Sequence, residues 1–246
     1  MRIIVPMAGS VFLDSSEYTF PKPLIDVHGK PLIEYVLASL SKISEPVQFT
    51  FLVKDQLCTK YNLDYSLALL TKTPDIIRVK GDTKGATCSV LLAIDKIAKD
   101  EEVVIVNSDQ VFLAKLNQAI AFFRDHSSVG GLITFDSVHP RWSFALADED
   151  NIVLQTAEKK PISRNAIAGF YYFRSFGDFI ESAMSSVLSE EFFEDQLYVS
   201  SVMNQIILNN RKVMHFPIRN EEYISFYSPL KIKEFERLLA DNKIEL

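Results

Sequence analysis

Four short stretches of this 246-residue chain place charged or conformationally permissive residues where a phosphate-bearing ligand could be handled. Lys22 stands between two prolines in Phe20-Pro21-Lys22-Pro23. The rings fix φ on both sides of it, so its ammonium is carried on a stiff backbone. A pre-positioned cation suits the charge that develops on phosphate during transfer; a solvated loop lysine is the plainer reading of the same residue. Asp109 ends the run Val103-Val104-Ile105-Val106-Asn107-Ser108-Asp109. A carboxylate there is a candidate Mg²⁺ ligand, because that ion takes one or two protein carboxylates and completes its shell with phosphate oxygens and water. The position also suits a turn or capping aspartate. Gly85-Ala86 puts small residues ahead of a helical stretch, which lets a ligand approach the backbone and the positive helix end. Glu158-Lys159-Lys160-Pro161 sets an acid and two bases beside a proline, as a binding group or as a solvated charge run.

Other chemistries lack their residues. His28, His126, His139 and His215 are scattered, and there is no Gly-x-Ser-x-Gly elbow. Cys58 and Cys88 are the only cysteines, which argues against a disulfide scaffold or a structural zinc site. Trp142, in His139-Pro140-Arg141-Trp142, belongs either to the core or to the floor of a pocket.

The elements that must position these residues are legible in the apolar pattern. Arg2 to Val5 and Val103 to Val106 are β-branched runs without alternation, as buried strands require. Leu32, Ile33, Val36, Leu37 and Leu40 recur at helical spacing after Pro31, which suits a first helical turn. Further strands are expected at 48–53 and 76–79, and a helix over 85–98 with Thr87 as its cap. From 130 the rhythm changes: strand-like segments at 130–135, 143–147, 152–155 and 167–173 precede helices near 176–189 and 198–209. The expected fold is a doubly wound, mostly parallel α/β sheet with an antiparallel extension. Ligands of such sheets bind beyond the carboxyl ends of the strands, where Lys22, Gly85 and Asp109 all fall.

Hydrophobic residues make up 48% of the chain and charged residues 24%, enough apolar content to exclude disorder. The length suits one domain, 1–246, with the doubly wound half at 1–125 and the half that carries the antiparallel extension at 126–246. The net charge of -6 argues against a nucleic-acid backbone as partner. No signal peptide or membrane span is read, so the cytoplasm is the expected compartment. A homo-oligomer is allowed.

In order, the chain carries Met7-Ala8-Gly9, Pro21-Lys22-Pro23-Leu24, Gly29-Lys30-Pro31-Leu32-Ile33-Glu34, Gly85-Ala86, Ser108-Asp109, Glu158-Lys159-Lys160-Pro161 and Gly169-Phe170-Tyr171. This series resembles the sugar-1-phosphate nucleotidyltransferases, the glucose-1-phosphate thymidylyl- and cytidylyltransferase-like enzymes, and most of all their short capsule-cluster members. The resemblance implies a Rossmann-like sheet of the GT-A type and Mg²⁺ as cofactor. The partners would be a nucleoside triphosphate, pyrimidine favoured, and a phosphorylated small acceptor. Met7, Ala8, Gly9 and Ser10 would hold the nucleotide, with Gly85, Ala86 and Ser108 beside it. Lys22 would contact the reacting phosphates and Asp109 would bind the metal. Glu158 and Lys160 would address the acceptor, with Gly169 in the same pocket. Two departures stand out. The family loop reads Gly-x-Gly-Ser or Thr-Arg, and here Gly9-Ser10-Val11-Phe12 has neither the second glycine nor the arginine. Where many relatives have a second metal-binding aspartate, this chain has Ser225. Two alternatives remain: a non-catalytic nucleotide or sugar-phosphate binder, and a metal-dependent glycosyltransferase, whose Asp-x-Asp is absent at Ser108-Asp109-Gln110.

Overall fold

The computed structural model describes residues 1–9, 12–13 and 17–244. The first half contains β1 (Arg2–Met7), β2 (Asp26–Val27), β3 (Lys30–Pro31), α1 (Leu32–Leu40), β4 (Gln48–Lys54), α2 (Asp55–Tyr61), α3 (Leu63–Leu70), β5 (Asp75–Val79), α4 (Ala86–Leu91), β6 (Val103–Val106), β7 (Gln110–Phe112) and α5 (Leu116–Asp125). The second half contains β8 (Gly130–Asp136), β9 (Phe144–Ala147), β10 (Val153–Ala157), β11 (Asn165–Phe173), α6 (Phe176–Leu188), α7 (Val199–Leu208), β12 (Val213–Pro217), β13 (Tyr223–Ser225) and α8 (Pro229–Ala240).

The strands β5, β4, β1 and β6 lie side by side and parallel, with Ile4 level with Thr50 on one neighbour and Ile105 on the other. Beyond β6 the sheet turns antiparallel: β11 pairs β6, and β8 pairs β11. Strand β12 then adds parallel to β8, and the β9–β10 hairpin joins the start of β11 where Ala166 meets Phe144. The expected α/β sheet with an antiparallel extension is therefore present. The strand β6 is central and covered on both faces, but only its β1 edge is parallel.

Alternation of side chains explains both layers. Ile3, Val5, Val104 and Val106 point into one apolar cluster with Val36 of α1, Phe123 of α5 and Phe235 of α8. Ile4, Val103 and Ile105 point into the other, with Val90 of α4, Phe179 of α6 and Val202 of α7. Each such side chain is fully removed from water, worth about 1.5–3 kcal/mol apiece by transfer. A strand buried on both faces must be apolar throughout, which is why these runs lack a polar partner set.

Two local expectations are corrected. The helix expected over 85–98 ends at Leu91. After it, Leu92, Ala93 and Ile94 bond back three residues rather than four, so the chain tightens into successive turns. Thr87 is not the cap: Gly85 holds that position with φ 95°, and Thr87 is buried inside the helix, its backbone N–H donating to Leu197 O at 3.2 Å. Pro31 stands immediately before α1, in extended backbone. Among the described residues no helix is long and apolar enough to cross a membrane.

Candidate functional site

The carboxyl ends of β1 and β6 open on a cleft of about 160 Å³ lined by Met7, Gly9, Lys22, Ala86, Ser108 and Asp109, among others. At its centre Lys22 Nζ donates to Asp109 Oδ2 at 2.6 Å. Both side chains are largely withdrawn from water, 15% and 27% exposed, so the pair is less screened than one on the surface.

Local backbone sets each partner. Pro21 precedes a single 3-10 turn, Lys22–Leu24, closed by Leu24 N–H on Pro21 O at 2.8 Å and anchored by buried Pro23 within it. Asp109 lies between β6 and β7, and its carbonyl accepts from Phe226 N–H at 2.9 Å. That bond continues the β7–β13 ribbon, in which Ser225 faces Gln110. The loop is held from below by Gly169, whose carbonyl accepts from Asn107 N–H at 3.1 Å and Gln110 Nε2 at 2.9 Å. Gly169 has φ 63°, and a Cβ there would fall 2.4 Å from Asn107 Nδ2. Only glycine fits so close beneath the loop. Gly85 is pressed similarly, with the Leu197 carbonyl oxygen 2.5 Å from where its Cβ would be.

Of the residues expected around a nucleotide, Met7, Gly9, Ala86 and Ser108 line the cleft with Lys22 and Asp109. Ala8 is buried in the second apolar cluster, and Ser10 lies outside the described residues. The donor set for a cation is small. Asp109 supplies a carboxylate and buried Ser225 stands on the adjacent strand. Among the described residues no group of three or more His, Cys, Asp or Glu gathers. One carboxylate fits Mg²⁺ carried by a phosphate ligand, since water and phosphate oxygens supply the rest of its octahedron.

Glu158 is not the solvated member of a charge run. Its Oε2 accepts from Ser143 Oγ and, at 2.9 Å, from Ser200 Oγ. Burial raises its carboxyl above the usual glutamate range, and the two hydroxyl bonds pull it partly back. Lys159 turns away, bonded to Glu194 at 2.5 Å and lying over Phe193 and Tyr198. Lys160 is exposed and has no ion-pair partner among the described residues. Ser143 and Ser200 escaped sequence reasoning because they stand 15 and 42 residues from Glu158, in no motif. Asn107 lines the cleft as well, beside Ser108 and Asp109 at the end of β6.

Residues 17–217 match the family described as nucleotidyl transferase. Among solved structures, the chain is similar to a nucleoside-diphosphate-sugar pyrophosphorylase from Vibrio cholerae RC9, at TM-score 0.82 and 25% identity over 96% of this chain and 100% of that one. The inositol-1-phosphate CTP transferase from T. maritima has the same fold at TM-score 0.75 and 17% identity, covering 100% and 97%. So does a CMP:2-keto-3-deoxy-manno-octonic acid synthetase complexed with CTP, at 0.69 and 14%, covering 98% of each chain. No curated protein matches the sequence.

Proposed function

Because the chain belongs to the nucleotidyl transferase family, we propose that it joins the nucleotidyl group of a nucleoside triphosphate to the phosphate of a small, sugar-like acceptor. The observation that carries this is the Lys22–Asp109 pair at the bottom of the cleft. It sets a cation and a carboxylate together where reacting phosphates would lie. In the reaction an acceptor phosphate oxygen bonds to the α-phosphorus in line as the bond to pyrophosphate breaks. No protein nucleophile is needed, because positioning and charge stabilisation carry phosphoryl-type transfer.

Lys22 exchanges Asp109 for phosphate oxygens, placing its ammonium against the charge that grows in the transition state. Asp109, so released, would hold Mg²⁺, which when bound would supply charge neutralisation. Met7, Gly9, Ala86 and Ser108 shape the nucleotide side of residues 1–125. In residues 126–246, Glu158 accepts from acceptor hydroxyls, Lys160 meets the acceptor phosphate, and Gly169 supports the floor. A pyrimidine nucleotide is the favoured donor, a reading supported by the CTP named for two of the similar structures. The product would serve as a precursor for surface polysaccharide or capsule.

The test is pyrophosphate release during incubation with each of the common nucleoside triphosphates, Mg²⁺ and a panel of sugar phosphates. Release that needs both substrates is expected. Nucleotide binding without release under any pairing would favour the second reading, a binding protein without turnover. Ser225, which faces Gln110 next to Asp109, is the observation that speaks for it, since it offers a hydroxyl where the resemblance implies a second carboxylate.

A further inference from the structure

A second cavity, of about 600 Å³, lies between α8, β13 and the 135–142 segment. It shares no lining residue with the Lys22–Asp109 cleft. Its size falls in the range of roughly 300–1,000 Å³ typical of small-molecule sites. One wall is aromatic. Trp142 stands edge-on to Phe135 at 5.3 Å and to Tyr227 at 5.8 Å between ring centres. The Arg141 guanidinium carbon sits 3.7 Å from the centre of the Tyr227 ring.

The charges on the wall decide what kind of ligand this is. Each acid has a cation beside it: Asp136 has Arg164 at 2.7 Å, Glu234 has Lys231 at 2.5 Å, and Glu221 shares Arg219 with Glu222, at 3.3 Å each. Lys243 is bound to Asp241 at 2.8 Å. Arg141 has no carboxylate partner among the described residues. Its backbone N–H and Nε both donate to His139 Nδ1 at 3.2 Å, Nη2 lies 3.5 Å from His139 Nε2, and Nη1 is left without a bond among the described residues. Among the described cations on the wall, Arg141 is therefore the one that still offers a donor to a ligand. Aromatic walls alone would also suit an organic cation, but Arg141 already covers Tyr227 and would repel one.

We propose that this cavity is a second ligand site, taking a small organic anion with a planar ring. The ring packs along Trp142 and Tyr227, and the anion accepts from Arg141 Nη1, as carboxylate and phosphate oxygens do from a guanidinium. The site stands apart from the proposed transfer reaction, although Ser225 on its wall precedes Phe226, whose N–H holds Asp109.

Trp142 is the only tryptophan in the chain, so its fluorescence reports on this cavity directly. Phenyl phosphate is expected to change that fluorescence saturably, whereas phenyltrimethylammonium and inorganic phosphate at equal concentrations are not. Arg141→Ala should weaken phenyl phosphate at least 10-fold, and Arg141→Lys less. Lys22→Ala should leave the titration unchanged. Far-ultraviolet circular dichroism checks that each variant is folded, and Arg141 is exposed enough to tolerate exchange. Four results would overturn the assignment: no saturable change, an unaltered titration in Arg141→Ala, an equal response to the ammonium or to inorganic phosphate, or loss of response in Lys22→Ala. Pyrophosphate release is read separately, so failure here leaves the transferase proposal standing.

Discussion

Lys22 and Asp109 neutralise each other across 2.6 Å, and replacing either strands the other in a partly buried cleft. Asp109→Asn is expected to lower kcat at least ~100-fold, on the order of 3 kcal/mol of barrier. Lys22→Ala should act mainly on kcat, and Lys160→Ala mainly on the acceptor KM. Because the first two residues share one charge pair, their double variant should lose less than the sum of the single losses. Steady-state kinetics on the four proteins decide it, and strict additivity would show that the pair acts as two independent groups. Glu158 offers a separate test. Its folded pKa is raised, chiefly by burial, so between the unfolded and folded values the native form holds more protons and stability falls as pH rises. Below that window both states are protonated and the penalty is absent; above it the penalty is complete. Glu158→Gln should therefore gain on the wild type as pH rises from about 4, the ordinary glutamate range, and then level off. Denaturant midpoints across pH measure this, and a pH-independent difference would contradict it.

At the scale of elements, the site depends on loops pinned by two glycines with positive φ. A Cβ on Gly85 would strike backbone, the Leu197 carbonyl at 2.5 Å, with φ 95°. A Cβ on Gly169 would strike side-chain ends, Asn107 Nδ2 at 2.4 Å and Gln110 Oε1 at 2.7 Å. Side chains give way more cheaply than backbone. Gly85→Ala is expected to cost at least about 2 kcal/mol of stability, from strain and overpacking together. Gly169→Ala should cost less stability. It should lower kcat as well, because Asn107 and Gln110 fix the loop that carries Asp109. Chemical denaturation and kcat on the two variants check this, and the reverse order of stabilities would refute the packing argument.

For the whole molecule, a ligand that binds only the folded state stabilises it by about 2.7 kcal/mol at one hundred times its Kd. A pyrimidine triphosphate with Mg²⁺ should therefore give the largest thermal shift among the common nucleotides. The same linkage bears on the arginine missing from Gly9-Ser10-Val11-Phe12. Arg2 cannot replace it, since it lies at the amino end of β1, bound to Glu101, Thr50 and Asp75. Lys30 is held by Glu34 at 2.9 Å. A clamp of that kind contributes about 1.5–3 kcal/mol, so without it the diphosphate should bind within roughly 100-fold of the triphosphate. Calorimetric titration of matched pairs with Mg²⁺ measures the gap, and a wider one would require another cation at the γ-phosphate.

What the sequence alone determined is what local physics controls. The unbroken runs of β1 and β6 announced strands buried on both faces, and the spacing of Leu32 to Leu40 announced α1. The flanking prolines marked Lys22 as held, and the order of motifs pointed to the family. Other features needed the folded chain. Lys22 and Asp109 are 87 residues apart, and their 2.6 Å pair is a product of tertiary structure. Tyr223 and Gln110 are bonded across 113 residues through two three-residue strands, too short to show a period. Glu158 reads as a surface charge until Ser143 and Ser200 close over it. Trp142 could be assigned to a cavity wall only when α8 and β13 supplied the other sides. Sequence pattern reports how a segment meets water and its own backbone; which distant segments share a site is set by how the layers pack.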